Sequence, residues 1–399
     1  MNPEHAKILI VDDNQMNRDM LARRLVRLGH EVTEAESGQQ CLDVLAETSY
    51  DLVLLDIMMP GMNGYDVLEA IKASDQLKHI PVIMISAVDE IQSVVKCIEM
   101  GAEEYLPKPF NAVLLKARVA ASLEKKSLRD KEQLYAKSLL REMEIGREIQ
   151  AGFFPDALPQ LPGWELAAYF EAARQVAGDF YDAFTLPGGR LALVIGDVCD
   201  KGVGAALFMA LFRSLLRAYA EQQYQGGAVS DETRLANIFD QTNNYIARTH
   251  SRANMFATVF FGVLDPQTGE LTYVNGGHES PLVVRPPSAP LRAGPANPVP
   301  LQPTGPAVGL LPGLEFGTQK IVLNPGDLLV AFTDGVTEAR SMTGDFFTEE
   351  RLLGVLDTAS DTAVETLAAI AAALRSFSGE AQQADDITML AVKRCRKLN

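Results

Sequence analysis

Three short apolar runs in the first 123 residues constrain the fold most strongly. Lys7–Val11, Asp51–Leu55 and Pro81–Ile85 are each nearly continuous in apolar residues. A strand with one exposed face alternates apolar and polar residues, so continuous runs predict strands that are covered on both faces. Amphipathic helical segments such as Gln15–Leu28 separate the runs. This alternation predicts an α/β doubly wound parallel sheet for residues 1–123.

A long helix is predicted for residues 111–153, which contain no proline and no strand-like run. The apolar residues that recur there at a spacing of seven are Leu114, Ala121, Leu128 and Tyr135. The next position in this series is Glu142, so the repeat is short. We assign residues 124–153 as a linker helix. It is either a coiled coil between two copies of the chain or an amphipathic helix packed on its own domain.

Residues 154–399 mix both kinds of pattern, which predicts an α+β domain with antiparallel hairpins. The strand-like runs are Leu191–Ile195, Thr258–Leu264, Leu271–Val274 and Leu328–Phe332. The helical segments are Ala205–Glu221, Thr233–Thr249 and Thr362–Leu374. Residues 286–306 hold eight prolines and predict an irregular surface loop.

The charge balance excludes some classes of partner. The chain has 36 Lys and Arg against 52 Asp and Glu, a net charge of −16. Such a surface repels phosphate backbones and anionic lipids, so we expect no nucleic-acid and no membrane partner. The four cysteines form no CxxC pair, and no signal-peptide pattern is present. The longest apolar helical stretch, Ala205–Phe212, is too short to span a bilayer. We therefore expect a cytoplasmic protein.

Acidic residues follow the apolar runs of the first domain. Asp12 and Asp13 end the first run, and Asp56 ends the second. Because the carboxyl ends of parallel strands meet at one edge of a sheet, we expect these carboxylates to surround a divalent cation. Ser86 and Lys108 follow later strands and supply a hydroxyl and an ammonium group. A metal, a lysine and a serine around one carboxylate form a phosphate site.

This ordered set resembles the receiver domain of bacterial response regulators over residues 6–123. Asp56-Ile-Met-Met-Pro-Gly61 and Gly64 also fit that family. The resemblance implies that Asp56 accepts a phosphoryl group from a sensor histidine kinase. It implies a Mg²⁺ ion held by Asp13, Asp56 and the Met58 carbonyl, with Asp12 assisting through water. It further implies a switch formed by Ser86, Lys108 and Tyr105, and a cis peptide bond between Lys108 and Pro109.

A second set of aspartates lies in the carboxyl-terminal region. Asp179, Asp197, Asp334 and Asp385 each lie beside a strand-like run or a glycine. Glycines allow close backbone approach, and such carboxylates suit two Mg²⁺ or Mn²⁺ ions about 4 Å apart. Ligands that are all oxygen favour these ions over Zn²⁺. A two-metal site of this kind supports hydrolysis of a phosphate ester by water. Each aspartate alone is more typical of a turn, and it is the four groups together that favour the metal site.

These motifs resemble the metal-dependent protein phosphatase (PPM) family, in its bacterial sporulation and stress-response branch, over residues 145–394. The matching segments are Arg147–Gln150, Gly178–Asp182, Asp197–Gly202, Met255–Thr258, Asn275–His278, Val308–Leu310, Pro325–Asp327, Thr333–Arg340 and Asp385–Thr388. The resemblance implies a two-sheet β-sandwich flanked by helices.

The same resemblance implies four catalytic and metal-binding residues, Asp179, Asp197, Asp334 and Asp385, helped by the Val198 carbonyl. Asp386 is a further metal-ligand candidate, although the family often has Asn there. Asp200 departs from the glycine usual in this branch and places a charge next to Lys201.

Together these features predict a response regulator in which phosphorylation at Asp56 controls a phosphoserine or phosphothreonine protein phosphatase. The resemblance implies that its substrate is a phosphorylated STAS-type antagonist of an anti-sigma factor, and the linker helix predicts a homodimer. The alternative is a catalytically silent adaptor that binds a sigma factor or its regulator under receiver control. Asp334→Ala distinguishes the two, because an adaptor keeps control of its partner. A third hypothesis is a constitutive phosphatase that Asp56 phosphorylation inhibits.

Overall fold

The computed structural model describes residues 5–87, 91–227, 229–285, 298–357 and 362–396. The chain forms two compact units, Met1–Leu140 and Arg141–Asn399, whose boundary lies within one long helix. The predicted boundaries after residues 123 and 153 stay predictions. Most of the predicted proline-rich loop, residues 286–297, lies outside the described residues.

The first unit is built on a five-stranded parallel sheet in the order β2-β1-β3-β4-β5. Its strands are β1 (Lys7–Val11), β2 (Glu31–Ala35), β3 (Leu52–Asp56), β4 (Val82–Ser86) and β5 (Glu104–Pro107). Its helices are α1 (Gln15–Arg27), α2 (Gly38–Glu47), α3 (Gly64–Ala73), α4 (Ile91–Glu99) and the start of α5 (Ala112–Ala151). The central strands β3 and β4 are buried throughout, as their continuous apolar sequences predict. The doubly wound sheet is confirmed.

Polar side chains fix where the helices of this unit begin. The Asn14 side chain accepts hydrogen bonds from the amides of Met16 and Asn17 at the start of α1. Asn63 and Asp66 form a reciprocal capping box at the start of α3. Such caps satisfy the free amides of a first helical turn.

The predicted long helix is also confirmed, as α5 over 40 residues. Its first turns present Leu115, Val119 and Leu123 to the core of the first unit. Farther along, apolar side chains face solvent, including Leu128 at 56% exposure and Tyr135 at 76%. Both residues belong to the seven-residue repeat.

The second unit contains two antiparallel sheets, in the orders β13-β10-β9-β8-β7 and β12-β11-β14-β15-β6. Its strands are β6 (Trp164–Glu171), β7 (Phe180–Leu186), β8 (Arg190–Val198), β9 (Ala257–Leu264), β10 (Glu270–Gly276), β11 (Leu282–Val284), β12 (Val299–Pro300), β13 (Gln319–Val322), β14 (Leu328–Phe332) and β15 (Ile387–Arg394). Its helices are α6 (Val203–Gln225), α7 (Asp231–Thr249), α8 (Asp334–Thr337), α9 (Thr348–Leu356) and α10 (Ala363–Ser378). Part of the predicted irregular loop is thus ordered as β12.

Three apolar layers hold these elements together. Side chains such as Leu193 and Phe260 from one sheet pack against Leu329 and Leu390 from the other. The outer face of the first sheet packs against α6 and α7, and the outer face of the second packs against α9 and α10. The result is the predicted β-sandwich flanked by helices.

Helix α6 is longer than the apolar stretch that the sequence suggests. Within the part of the chain that the structure describes, α6 is long and apolar enough, by length and composition alone, to cross a bilayer. Its Met209, Phe212 and Leu216 are fully buried in the core against the sheet. Arg213 on the same helix forms an ion pair with the buried Asp182 of β7. These residues form the face of α6 that packs on the first sheet.

Candidate functional site

The first candidate site lies at the carboxyl ends of β1 and β3. One ligand oxygen from each of Asp12, Asp13 and Asp56 lies within 4.8 Å of the others. Asp12 and Asp56 are buried, whereas Asp13 is exposed. The parallel strands bring these residues together as predicted. Three hard oxygen donors at one exposed edge fit a Mg²⁺ ion.

Lys108 supplies a positive charge inside this cluster. Its Nζ lies 2.9 Å from an Asp12 oxygen and 2.9 Å from an Asp56 oxygen. Burial raises the pKa of Asp56, and Lys108 partly opposes this shift. Burial alone would lower the pKa of Lys108, but its hydrogen bonds to the two carboxylates raise it. The lysine is therefore charged and placed to contact a phosphoryl group on Asp56.

The other predicted receiver residues lie around this edge. Ser86 is buried at the end of β4, and Tyr105 is half-buried in β5. Met58 follows Asp56 by two residues with an exposed side chain. The Lys108–Pro109 peptide bond is cis. The roles of these residues in a switch stay predictions.

The second candidate site lies where strands of both sheets of the second unit meet. Asp179 immediately precedes β7, and Asp197 is near the end of β8 in the same sheet. Asp334 begins α8 just after β14, and Asp385 lies just before β15 in the other sheet. The site is therefore assembled from two adjacent strands of one sheet and from two segments beside strands of the other sheet.

Two glycines permit the close packing of these segments. A Cβ on Gly178 would lie 2.9 Å from the Val198 carbonyl oxygen and 3.5 Å from a carboxylate oxygen of Asp197. A Cβ on Gly335 would lie 1.9 Å from the Asp386 carbonyl oxygen. Any side chain at either position would separate the acidic segments.

Two threonines orient Asp179. The hydroxyls of Thr333 and Thr388 each donate a hydrogen bond of 2.7 Å to Oδ2 of Asp179. All three residues are buried. Burial and the neighbouring charge of Asp197 raise the pKa of Asp179 well above its usual value, and the two hydroxyls oppose the shift.

The remaining carboxylates also repel one another. Burial and the charge of Asp334 raise the pKa of Asp197 to about 7. Burial and the charge of Asp385 raise the pKa of Asp334 to about 6. Mutual repulsion of this kind is relieved by a cation, and hard oxygen donors fit Mg²⁺ or Mn²⁺. Across the described residues, however, only the receiver trio places three such ligand atoms within 4.8 Å of one another.

Asp386 differs from its neighbours in its contacts. Its Oδ1 accepts a hydrogen bond of 2.8 Å from the Ala173 amide, and its Oδ2 accepts one of 2.9 Å from the Gly178 amide. Burial raises the pKa of Asp386, and these amides oppose the shift. Asp386 thus fixes the backbone that leads into Asp179, while its predicted role as a metal ligand stays a prediction.

Lys201 provides the positive charge nearest to Asp385. Its Nζ lies 2.6 Å from Oδ2 of Asp385 and 2.7 Å from the Ala384 carbonyl oxygen. Asp200 adopts a positive φ of 72°, and its side chain accepts a hydrogen bond from the Lys201 amide. The glycine usual at this position in the resembling branch would adopt this backbone without strain.

Gln150 connects the end of α5 to the same site. Its side-chain amide donates to the Ala177 carbonyl at 2.7 Å and accepts from the Ala177 amide at 3.0 Å. Both residues are buried, and Ala177 is two residues from Asp179. A movement of this part of α5 would therefore reach the segment that carries Asp179.

Sequence reasoning missed the supporting residues of the second site. Thr333, Thr388 and Gln150 lay inside motifs that were noted, but nothing in the sequence indicated which atoms they contact. The only available pattern was their position directly beside predicted ligands or at the end of the linker helix.

Comparison with known proteins identifies both regions. Residues 187–395, more than half of the chain, match the family model "Stage II sporulation protein E (SpoIIE)". Residues 8–120 match the model "Response regulator receiver domain".

Two curated relatives represent these regions. Protein IcfG from Synechocystis sp. is 43% identical over 270 residues, covering 63% of this chain and 41% of that protein. The transcriptional regulatory protein CpxR from Escherichia coli is 42% identical over 127 residues, covering 32% of this chain and 53% of that protein. The chain thus spans about half the length of the curated relatives it matches.

Among solved structures, the chain is similar to the SiaA-PP2C domain of Pseudomonas aeruginosa. The TM-score is 0.54 at 20% identity, and the match covers 65% of this chain and 98% of that domain. At this identity the likeness concerns the fold of the second unit.

Proposed function

Because the chain belongs to the Stage II sporulation protein E (SpoIIE) family and carries a response-regulator receiver domain, we propose that phosphorylation of Asp56 controls a phosphatase acting on phosphoserine or phosphothreonine in a protein. The observation that carries the proposal is the group of aspartates around Asp179, Asp197 and Asp334. Burial and mutual repulsion raise the pKa of all three. Such a group is poised for divalent cations rather than for a role in a turn.

Each residue of this group has a distinct proposed role. Asp179, Asp197, Asp334 and Asp385, with the Val198 carbonyl, would hold two Mg²⁺ or Mn²⁺ ions. When bound, such ions activate water as a nucleophile and neutralise the phosphoryl oxygens. Thr333 and Thr388 keep Asp179 in one orientation, and Lys201 contributes a charge beside Asp385.

The contact between Gln150 and Ala177 supports control through α5. Phosphorylation of Asp56 would change the environment of Lys108, which both Asp12 and Asp56 bind at 2.9 Å. A change in the packing of α5 that reaches Gln150 would then alter the position of Ala177 and of Asp179. Such control requires two states whose balance phosphorylation shifts.

We also propose the partners that these domains imply. A sensor histidine kinase would phosphorylate Asp56 in the presence of Mg²⁺, and a phosphorylated STAS-type antagonist of an anti-sigma factor would be the substrate. A homodimer would form through the exposed apolar residues of α5, among them Leu128 and Tyr135.

Hydrolysis of p-nitrophenyl phosphate by the purified full chain tests this proposal. We expect turnover that requires Mn²⁺ or Mg²⁺, is abolished by EDTA and changes when beryllofluoride mimics phosphorylated Asp56. Asp334→Ala should abolish turnover, and Asp56→Asn should keep turnover but lose the response to beryllofluoride. Folded protein without turnover under every condition would overturn the enzyme and favour the adaptor.

A further inference from the structure

A groove with exposed leucines lies beside the second site. It is formed by the end of α7, the segment that follows it and the loop 309–312, and it encloses about 450 Å³. The residues that matter here are His250, Met255, Phe256, Gly309, Leu310 and Leu311. We call this feature the leucine groove.

One wall of the leucine groove is held rigidly. The Asn243 side chain accepts a hydrogen bond from the Gly309 amide at 2.8 Å and donates one to the Leu311 carbonyl at 2.9 Å. Asn244 accepts another from the Gly313 amide at 2.9 Å. Leu310 and Leu311 nevertheless expose 49% and 58% of their surface. Leucines that are exposed on an already ordered backbone lose little entropy when a partner covers them.

His250, which lines the leucine groove, packs against two aromatic rings. The His250 ring lies 5.5 Å from the Phe208 ring and 5.8 Å from the Tyr245 ring, measured between centroids. Tyr245 is 40% exposed. Exposed apolar surface therefore extends from His250 to the neighbouring Tyr245, and such patches are typical of sites that bind other proteins.

Two arginines directly follow lining residues of the leucine groove, Arg248 after Ala247 and Arg252 after Ser251, although the chain as a whole is strongly acidic. Arg248 and Arg252 flank His250 in the sequence and are both exposed. Neither forms an ion pair with an acidic side chain among the residues that the structure describes. The groove is thus complementary to a segment that combines apolar and acidic side chains.

The leucine groove is directly connected to the second site. The Phe256 amide donates to the sulfur of Cys199 at 3.2 Å, and the Cys199 amide donates to the Phe256 carbonyl at 3.0 Å. The ladder continues with Thr258 opposite Asp197. A chain bound in the groove would therefore lie a few residues from the aspartates.

We propose that the leucine groove docks the phosphoprotein substrate through a segment of apolar and acidic residues separate from the phosphorylated residue. This inference rests on the proposed phosphatase function and adds the chemistry by which a substrate is selected. A second copy of the chain fits the groove less well. In a two-fold contact the groove would face itself and bring Arg248 and Arg252 of both copies together.

Two synthetic phosphoserine peptides of identical sequence around the phosphoserine test the proposal. One carries a distal Leu/Glu segment and the other a distal Leu/Lys segment. The net negative charge of the chain by itself favours binding of the Leu/Lys peptide. We expect the opposite, with kcat/KM about tenfold higher for the Leu/Glu peptide through a lower KM. This preference should weaken as salt is added, because exposed charges are screened.

Variants test which residues cause the preference for the Leu/Glu peptide. The double variant Arg248→Glu, Arg252→Glu should remove the preference for the Leu/Glu peptide, and Leu311→Ser should raise KM for that peptide about tenfold. The matched controls are Arg23→Glu, an exposed arginine in the first unit, and Val364→Ser, which is 58% exposed on α10. Both controls should keep the preference, and p-nitrophenyl phosphate is measured alongside each variant.

Three results would overturn the docking proposal. They are an unchanged peptide preference in the double arginine variant, a preference for the Leu/Lys peptide in the unaltered chain, and a lower molar mass in solution for Leu311→Ser. The last would make the groove a contact between copies. If the unaltered chain does not hydrolyse p-nitrophenyl phosphate, the proposed function fails. Fluorescence anisotropy of the same peptides still tests docking, and equal binding of both would refute it.

Discussion

Replacing the two threonines that hold Asp179 should weaken metal binding by a predictable amount. The hydroxyls of Thr333 and Thr388 both donate to Oδ2 of Asp179 at 2.7 Å in a fully buried setting. Valine has nearly the shape of threonine but cannot donate. Thr333→Val or Thr388→Val therefore removes a hydrogen bond to Asp179 and leaves the packing of the sandwich in place.

The two substitutions should differ in the size of their effects on metal affinity and on stability. A hydrogen bond to a charged group contributes roughly 1.5–3 kcal/mol, so the loss of one should weaken divalent-ion affinity about 10- to 100-fold. The Thr333 oxygen also accepts a hydrogen bond of 3.1 Å from the Thr388 amide. Thr333→Val leaves this buried amide unpaired, which costs roughly another 1–3 kcal/mol of folding stability. Thr388→Val should thus affect mainly metal affinity, and Thr333→Val should affect both.

Titration with Mn²⁺ followed by electron paramagnetic resonance measures the affinity directly, and urea unfolding in EDTA measures the stability. Thr366→Val is the matched control. Thr366 is equally buried but donates to the Thr362 carbonyl within α10. Unchanged Mn²⁺ affinity in both Asp179-facing variants, with p-nitrophenyl phosphate hydrolysis retained at the original Mn²⁺ concentration, would refute the assignment of Asp179.

Two other predictions concern buried charge. The pKa of Asp197 is raised to about 7, so the native chain in EDTA holds a proton that the unfolded chain releases. The urea midpoint of the unaltered chain should decrease as the pH is raised from 4 to 7, and it should decrease less steeply in Asp197→Asn. A midpoint that increases over this range in the unaltered chain would contradict the prediction. Arg213→Met should destabilise the chain more than Arg217→Met. Arg213 lies 2.9 Å from the buried Asp182 and is the less exposed of the two partners. Breaking a buried ion pair costs about 3–5 kcal/mol of folding stability. The cost should be smaller here because the other arginine still pairs with Asp182. Equal urea midpoints for the two variants would refute the ranking.

The fold of the first unit could be predicted because its information is local. Each central strand is a continuous apolar run, and each run ends at a polar residue on the functional edge. Asp12, Asp13 and Asp56 therefore meet by the geometry of a parallel sheet alone. The long helix α5 could also be predicted, because a segment of 40 residues without proline or strand-like runs has few other conformations.

The second unit shows what local information omits. Strand β6 has no alternation of buried and exposed residues, and it is held by β15, more than 200 residues away, with Trp164 opposite Arg394. The hydroxyls on Asp179 come from residues 154 and 209 positions away. Motifs placed these residues near a site, but only the assembled sheets determine which oxygen each hydroxyl faces.

The two acidic sites balance their charge in different ways. In the first unit, one lysine contacts both buried aspartates, so much of the repulsion is relieved by the chain itself. In the second unit, Lys201 forms an ion pair with Asp385, and the pKa values of Asp197 and Asp334 stay raised. Folding of the second unit therefore brings together carboxylates whose mutual repulsion remains. A divalent cation bound there would lower the free energy of the folded state, so the proposed metal binding and the stability of this unit would be thermodynamically linked.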